Sequence, residues 1–225
     1  MKKTNIAVIV AIAFALLFSG YAIAETKTPI VIIGGASPEE NIFLTMQKEL
    51  QAEFPDRKVE VIVPEAYWPL WRAVSTVLQQ IRDAGIEGPV ILIGHSWGGL
   101  IARQIDARNP GTVVAVITIA TPLDIRFMPN FGDPFHPDDT DSETPLYVIA
   151  GIKPGVEKKW WMRVRYSDEV VDIQTALDLR KRKVTDFAIF KGENAEHSEI
   201  VKNLEVINRI KKWLQPQIVV ALVGE

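Results

Sequence analysis

The chain has no cysteine among its 225 residues. Disulfide staples, thiolate nucleophiles and Cys-based zinc or iron–sulfur sites are thereby excluded. Histidine is scarce too, three in all, so any chemistry that needs an imidazole must draw on His95, His136 or His197. There is no excess of positive charge: 25 Lys and Arg against 28 Asp and Glu give a formal −3. With no basic block interleaved with aromatics, an electrostatic grip on nucleic-acid phosphates is not expected. The 14 Gly and 14 Pro show no period, and no internal repeat or low-complexity segment is present, which removes collagen-like, coiled-coil and solenoid readings. What is there, 48% hydrophobic and 24% charged residues, suits one globular domain with a packed core.

One segment stands apart from that domain. Lys2 and Lys3 precede the uncharged apolar run Ile6 to Phe18, followed by Ser19, Gly20 and Ala22-Ile23-Ala24. A basic start, a short apolar stretch and a small-x-small ending predict an export signal over residues 1–24, cleaved after Ala24 to leave a single domain over 25–225. The run is shorter than the roughly 20 residues that span a bilayer. No stable membrane span is therefore expected in the cleaved chain, which would be periplasmic or secreted; the alternative is an uncleaved N-terminal membrane anchor.

Beyond the signal, short runs of β-branched residues alternate with amphipathic stretches. Strands are predicted over Pro29 to Gly35, closed by its glycines, and over Val59 to Val63, Pro89 to Ile93, Thr112 to Ala120, Pro145 to Ala150 and Val184 to Lys191. Helices are predicted over Pro38 to Phe54, Tyr67 to Asp83, Gly98 to Arg108, Thr175 to Arg182 and Ile200 to Leu214. Most of these strands are apolar at successive positions, as in strands covered on both faces, so the alternation predicts an α/β fold: a doubly wound, mostly parallel sheet of about six strands with helices on each side. The interval Thr121 to Thr144 differs, with Pro122, Pro129, Pro134 and Pro137 and an acidic end. Such a stretch builds neither a cap domain nor an amphipathic helical lid, so an open or lightly covered cleft is expected. Asp138, Asp139, Asp141 and Glu143 alternate oxygen donors there, but without the glycine and spacing of a calcium loop they read as a solvated acidic turn, and no metal is expected.

The chemistry is concentrated in Gly94-His95-Ser96-Trp97-Gly98-Gly99, a G-x-S-x-G sequence between a predicted strand and a predicted helix. A sharp turn there lifts the serine hydroxyl to the carboxyl edge of the sheet, and the helix behind it aims N–H groups at that point. A serine needs a positioned base. His95 sits inside the turn and reads as a packing or hydrogen-bonding neighbour, and His136 lies in the Pro-rich loop. His197, after the last strand and before the last helix, would emerge at the same edge as Ser96. For an acid to orient the imidazole, Asp168 in Ser167-Asp168-Glu169-Val170-Val171 is the best candidate, because an apolar pair after it returns the chain to the core. Glu169, Asp172 and Asp178, and Glu143 before the fifth strand, have ordinary readings as solvated or capping acids. Backbone N–H groups of Ala36, in Gly34-Gly35-Ala36-Ser37, and of Trp97 are the candidate oxyanion donors. The glycine pair matches neither a dinucleotide fingerprint nor a P-loop. Trp68, Trp71, Trp97, Trp160 and Trp161 with Phe127, Phe131 and Phe135 are aromatics that either line a cleft or belong to the core and helix surfaces.

In these residues the chain resembles the α/β-hydrolase family, and within it a small lipase and esterase group that includes GPI-inositol-deacylase-like proteins. The resemblance also rests on Val116 to Pro122, on Ser167 to Val171, and on His197 leading into Leu204 to Ile210. It implies a serine esterase with Ser96, Asp168 and His197 as its triad, acting on a small-molecule or lipid ester without a cofactor. The chain departs from many relatives at Gly34-Gly35, where they carry His-Gly, and at Leu123, where a histidine is usual after Thr-Pro. A different class of reading is a non-catalytic envelope protein that uses the same fold as a binding scaffold.

Overall fold

The computed structural model describes residues 28–35, 40–65, 69–109, 111–122, 142–154, 171 and 184–215. The six strands are β1 (Ile30–Ile33), β2 (Val59–Ile62), β3 (Val90–His95), β4 (Val113–Ile119), β5 (Leu146–Ile152) and β6 (Asp186–Lys191). They form one sheet in the order β2-β1-β3-β4-β5-β6, every neighbouring pair parallel. The helices are α1 (Leu44–Glu53), α2 (Leu70–Asp83), α3 (Trp97–Arg108) and α4 (Leu204–Leu214). The doubly wound parallel sheet read from the sequence is therefore the fold observed, and the described residues contain no cap domain.

Strand order explains where the helices go. From β1 the chain moves outward to β2, then returns past β1 to β3 and continues to β4. Because parallel crossovers are right-handed, a reversal of direction puts the connecting helices on opposite faces. Accordingly α1 shares one core with α4, through Met46, Leu50, Val206, Ile207 and Ile210. The other core joins α2 and α3, through Val74, Val77, Leu100, Ile101 and Ile105. The central strands feed both cores: Ile30 and Ile32 point into the first, Val31 and Ile33 into the second. This is why β1 is an unbroken run of β-branched residues rather than an alternating one. Between the carboxyl ends of β1 and β3 lies the switch point of the winding, where open α/β sheets form their crevice.

Three details differ from the sequence reading. The first predicted helix opens as a tight 3-10 turn, Glu40–Phe43, before α1 begins. The last is broken: Ile200–Lys202 form a 3-10 turn, Asn203 turns extended (φ −67°, ψ 118°), and α4 starts at Leu204. The reason is a cap, since the Asn203 side chain accepts the Glu205 N–H at 2.9 Å and satisfies a first-turn donor that a continuous helix would not leave open. Finally β6, at the sheet edge, is covered incompletely, with Phe187 and Ile189 exposed. The predicted helix over Thr175 to Arg182, the loop residues 123–141 and the export signal lie outside the described residues. Among the described residues no helix is long and apolar enough to cross a membrane.

Candidate active site

The turn from β3 into α3 is built on close backbone approach. A Cβ at Gly94 would overlap the backbone of Gly98 and Gly99, and one at Gly98 would overlap the carbonyl oxygen of Ile33 in β1. At Gly99 it would strike the Thr121 side chain at the end of β4. Three glycines thus let the start of α3 sit directly on the sheet, with Ser96 at the apex. Ser96 has φ 53° and ψ −122°, a conformation that side chains other than glycine adopt at a cost of roughly 1–3 kcal/mol. Its N–H is tied to the Ile119 carbonyl of β4 at 2.9 Å, and its carbonyl accepts the Gly99 N–H at 3.1 Å. The strain is held by bonds on both sides, and the hydroxyl-bearing residue is left partly exposed at the carboxyl edge.

Beside it runs Gly34-Gly35, the loop after β1. A Cβ on Gly35 would come within 2.9 Å of the Ser96 Cβ, so only glycine allows the two loops this close. Gly34 donates its N–H to Ile62 at 2.8 Å, holding the loop to β2. Ala36 lies outside the described residues. Trp97 is the first residue of α3, where helix geometry directs N–H groups along the axis towards the apex. Its indole is buried in the core under α2 and α3, and Trp71 is half exposed on α2. These two aromatics thus take core and helix-surface placements rather than lining a cleft.

The loop after β6 brings His197 to the same place. Gly192 donates to Ile152 at 3.0 Å, Lys153 pairs with Glu196 at 3.2 Å, and the Asn203 amide donates to Asn194 at 3.3 Å. The loop is fastened to the ends of β5 and α4. His197 itself is half-buried, its ring centroid 4.7 Å from that of His95. His95, the last residue of β3, is buried, with the Phe43 ring edge-on at 5.8 Å. Its Nε2 lies 2.8 Å from the His197 carbonyl oxygen. A carbonyl can only accept, so Nε2 carries the proton and donates, and Nδ1 is bare. Burial, and secondly the charge that His197 can carry, push the His95 pKa down to about 3, although the bond to His197 opposes the shift. His95 is therefore a neutral donor at ordinary pH and takes no proton from a nucleophile.

Ser96 and His197 are thus brought to one edge, each adjoining His95. Asp168 lies outside the described residues, as do His136, Glu169, Asp172, Asp178, Trp68, Trp160, Trp161, Phe127, Phe131 and Phe135. Val171, from the apolar pair after Asp168, is buried. Of the acidic turn, Glu143 is exposed, and among the described residues no group of three or more His, Asp or Glu could hold a metal ion. The sequence reading missed two features. One is the positive φ of Ala120, 47°, which no residue type announces. The other is the contact of Thr121 with Gly99, for which the Thr-Pro after β4 was the available signal.

A family model described as the alpha/beta hydrolase fold matches residues 68–145, the stretch that contains β3, the Ser96 turn, α3 and β4. No curated protein matches the sequence. Among solved structures, the lin2722 gene product of Listeria innocua superposes with a TM-score of 0.62 at 14% identity, covering 85% of this chain and 95% of that one. Est1E from Butyrivibrio proteoclasticus gives 0.57 at 14% identity, over 84% and 88%. The monoacylglycerol lipase of Paleococcus ferrophilus gives 0.54 at 14% identity, over 84% and 95%. Identity at this level speaks for architecture, and with the winding of the sheet and the turn at Ser96 it establishes that this chain has the α/β-hydrolase fold.

Proposed function

We propose that the chain is a serine hydrolase that cleaves carboxylic esters through an acyl-enzyme. The observation that carries this reading is the strained Ser96 turn, at φ 53°, with the His197 loop docked on the residue that precedes it. In the first half-reaction the Ser96 Oγ attacks the ester carbonyl carbon while His197 takes its proton. The tetrahedral oxyanion is held by the N–H groups of Ala36 and Trp97. The C–O bond to the alcohol then breaks, and the alcohol leaves with the proton from His197. Water attacks the acyl-enzyme in the same way, His197 takes its proton, and release of the acid returns that proton to Ser96. Asp168 orients the imidazole and stabilises its cation. The sequence resemblance to the lipase and esterase group, with the fold shared with a monoacylglycerol lipase, favours esters over amides, and the residues named need no cofactor.

The test is labelling by a fluorophosphonate probe, with mass spectrometry of the modified peptide, beside hydrolysis of a p-nitrophenyl ester series. Labelling at Ser96 and loss of both signals in Ser96→Ala are expected. A folded protein inert to probe and esters would instead favour the binding-scaffold reading. The proposal includes export, for which sequencing of the processed chain should find Glu25 at its N-terminus.

A further inference from the structure

The carbonyl of His197 is held by a side chain rather than by its own turn. Around it, the backbone bonds of the loop close on other oxygens: Glu199 and Ile200 both donate to Glu196, and Lys202 donates to Glu199. His95 reaches across from β3 with Nε2 at 2.8 Å, and the two rings stack obliquely, 44° apart, at 4.7 Å between centroids. His95 is itself immobilised. It is buried, boxed by Phe43, and joined through one peptide bond to Ser96, whose N–H is fixed to β4. The position of the His197 backbone is thus referred to the same strand end that sets the nucleophile.

We propose that His95 is a positioning residue for catalysis: its Nε2–H bond to the His197 carbonyl locks the loop of the base in register with Ser96. This rests on the serine-hydrolase reading above. It predicts that what matters at position 95 is a donor at the place of Nε2. Glutamine puts its amide nitrogen there. Asparagine places its amide nearer the position of Nδ1, short of the carbonyl, and leucine supplies only volume.

The experiment measures kcat and KM of the full chain on p-nitrophenyl butyrate for wild type, His95→Gln, His95→Asn and His95→Leu, with Ser96→Ala as reference. His95→Gln should keep kcat within about fivefold of wild type, and His95→Leu and His95→Asn should lose on the order of 10²-fold, the scale of a misplaced catalytic group. KM should stay within about twofold throughout, because His95 does not meet the substrate. If His95→Leu fails to fold, the His95→Gln and His95→Asn pair decides the matter. Wild-type kcat in His95→Leu or His95→Asn overturns the inference, as does a loss in His95→Gln equal to theirs or a loss confined to KM. A wild type whose hydrolysis survives Ser96→Ala overturns the serine-hydrolase reading instead, and the positioning role with it.

Discussion

His95 Nε2 donates to the carbonyl oxygen of His197 across 2.8 Å, joining residues 102 apart in sequence. One histidine is thereby committed to structure, while the other, the proposed base, stands at the same edge of the sheet. Their environments separate them: His95 is enclosed, and His197 remains partly accessible.

Enclosure makes stability depend on pH. Folded His95 stays neutral down to about pH 3, whereas in the unfolded chain it takes a proton near its ordinary value of 6.5. Between these values the unfolded state binds more protons, so stability is full above about 6.5 and falls as the pH drops towards 3. At pH 5 the loss from this one group is about 2 kcal/mol. Urea titrations at pH 7 and pH 5 should show His95→Gln losing less than wild type by about that amount. Equal losses would mean that His95 is not neutral in the folded protein.

How much of this was legible follows from the range over which each feature is determined. The strands and helices are local patterns, and the β-branched run Ile30-Val31-Ile32-Ile33, closed by glycines, reads as a strand covered on both faces. The Ser96 turn was legible because its glycines answer to the backbone beside them. His197 was placed at the right edge by counting strands. The break at Asn203 is hidden by apolar spacing that continues across it, although asparagine, a favoured helix N-cap, was the available signal. The bond from His95 to His197 was out of reach, since nothing local chooses a partner 102 residues away.

The glycines of the turn should differ in whether they can be rescued. In Gly98→Ala the new methyl meets the carbonyl oxygens of Ile33 and Gly34, both backbone. Overpacking of this kind costs about 1–3 kcal/mol or more, and no side-chain change relieves it. In Gly99→Ala the obstacle is the Thr121 side chain, its Oγ1 nearest and its Cγ2 2.7 Å away. Adding Thr121→Ala should therefore restore part of the stability lost in Gly99→Ala and none of that lost in Gly98→Ala. Chemical denaturation of the two double-mutant cycles reads this directly, and equal rescue would contradict the packing described.

The edge strand β6 is tied to α4 by Asp186, which accepts from Trp213 Nε1 at 2.8 Å and from Arg209 Nη2 at 2.7 Å. The Trp213 bond first, then the Phe187 N–H and the Arg209 charge, hold its carboxyl below the usual range against a smaller opposing effect of burial. Its contribution is present above the unfolded pKa of 3.8 and is lost as the pH falls through the lower folded value. Because the side chain is 44% exposed, Asp186→Asn should cost no more than about 1 kcal/mol. Trp213→Ala removes in addition the stack on Tyr147, 5.0 Å between centroids, and should cost about 1.5–3 kcal/mol. Thermal melts at pH 7 should rank the two in that order.

The acid of the proposed triad is decided by one comparison. Asp168 and Asp172 flank Val171 in sequence, and Val171 is buried. The order Ser, Asp, His and the position ahead of the apolar pair favour Asp168. In Asp168→Asn the imidazole of His197 loses the charge that stabilises its cation and the acceptor that fixes its tautomer, and kcat should fall by about 10²- to 10⁴-fold with the protein still folded. Asp172→Asn should stay within about twofold of wild type, since a solvated carboxylate outside the site contributes little. Steady-state kinetics on one short-chain ester, with circular dichroism to verify folding, measures both. A large loss in Asp172→Asn together with an active Asp168→Asn would move the acid of the proposed triad to the later position.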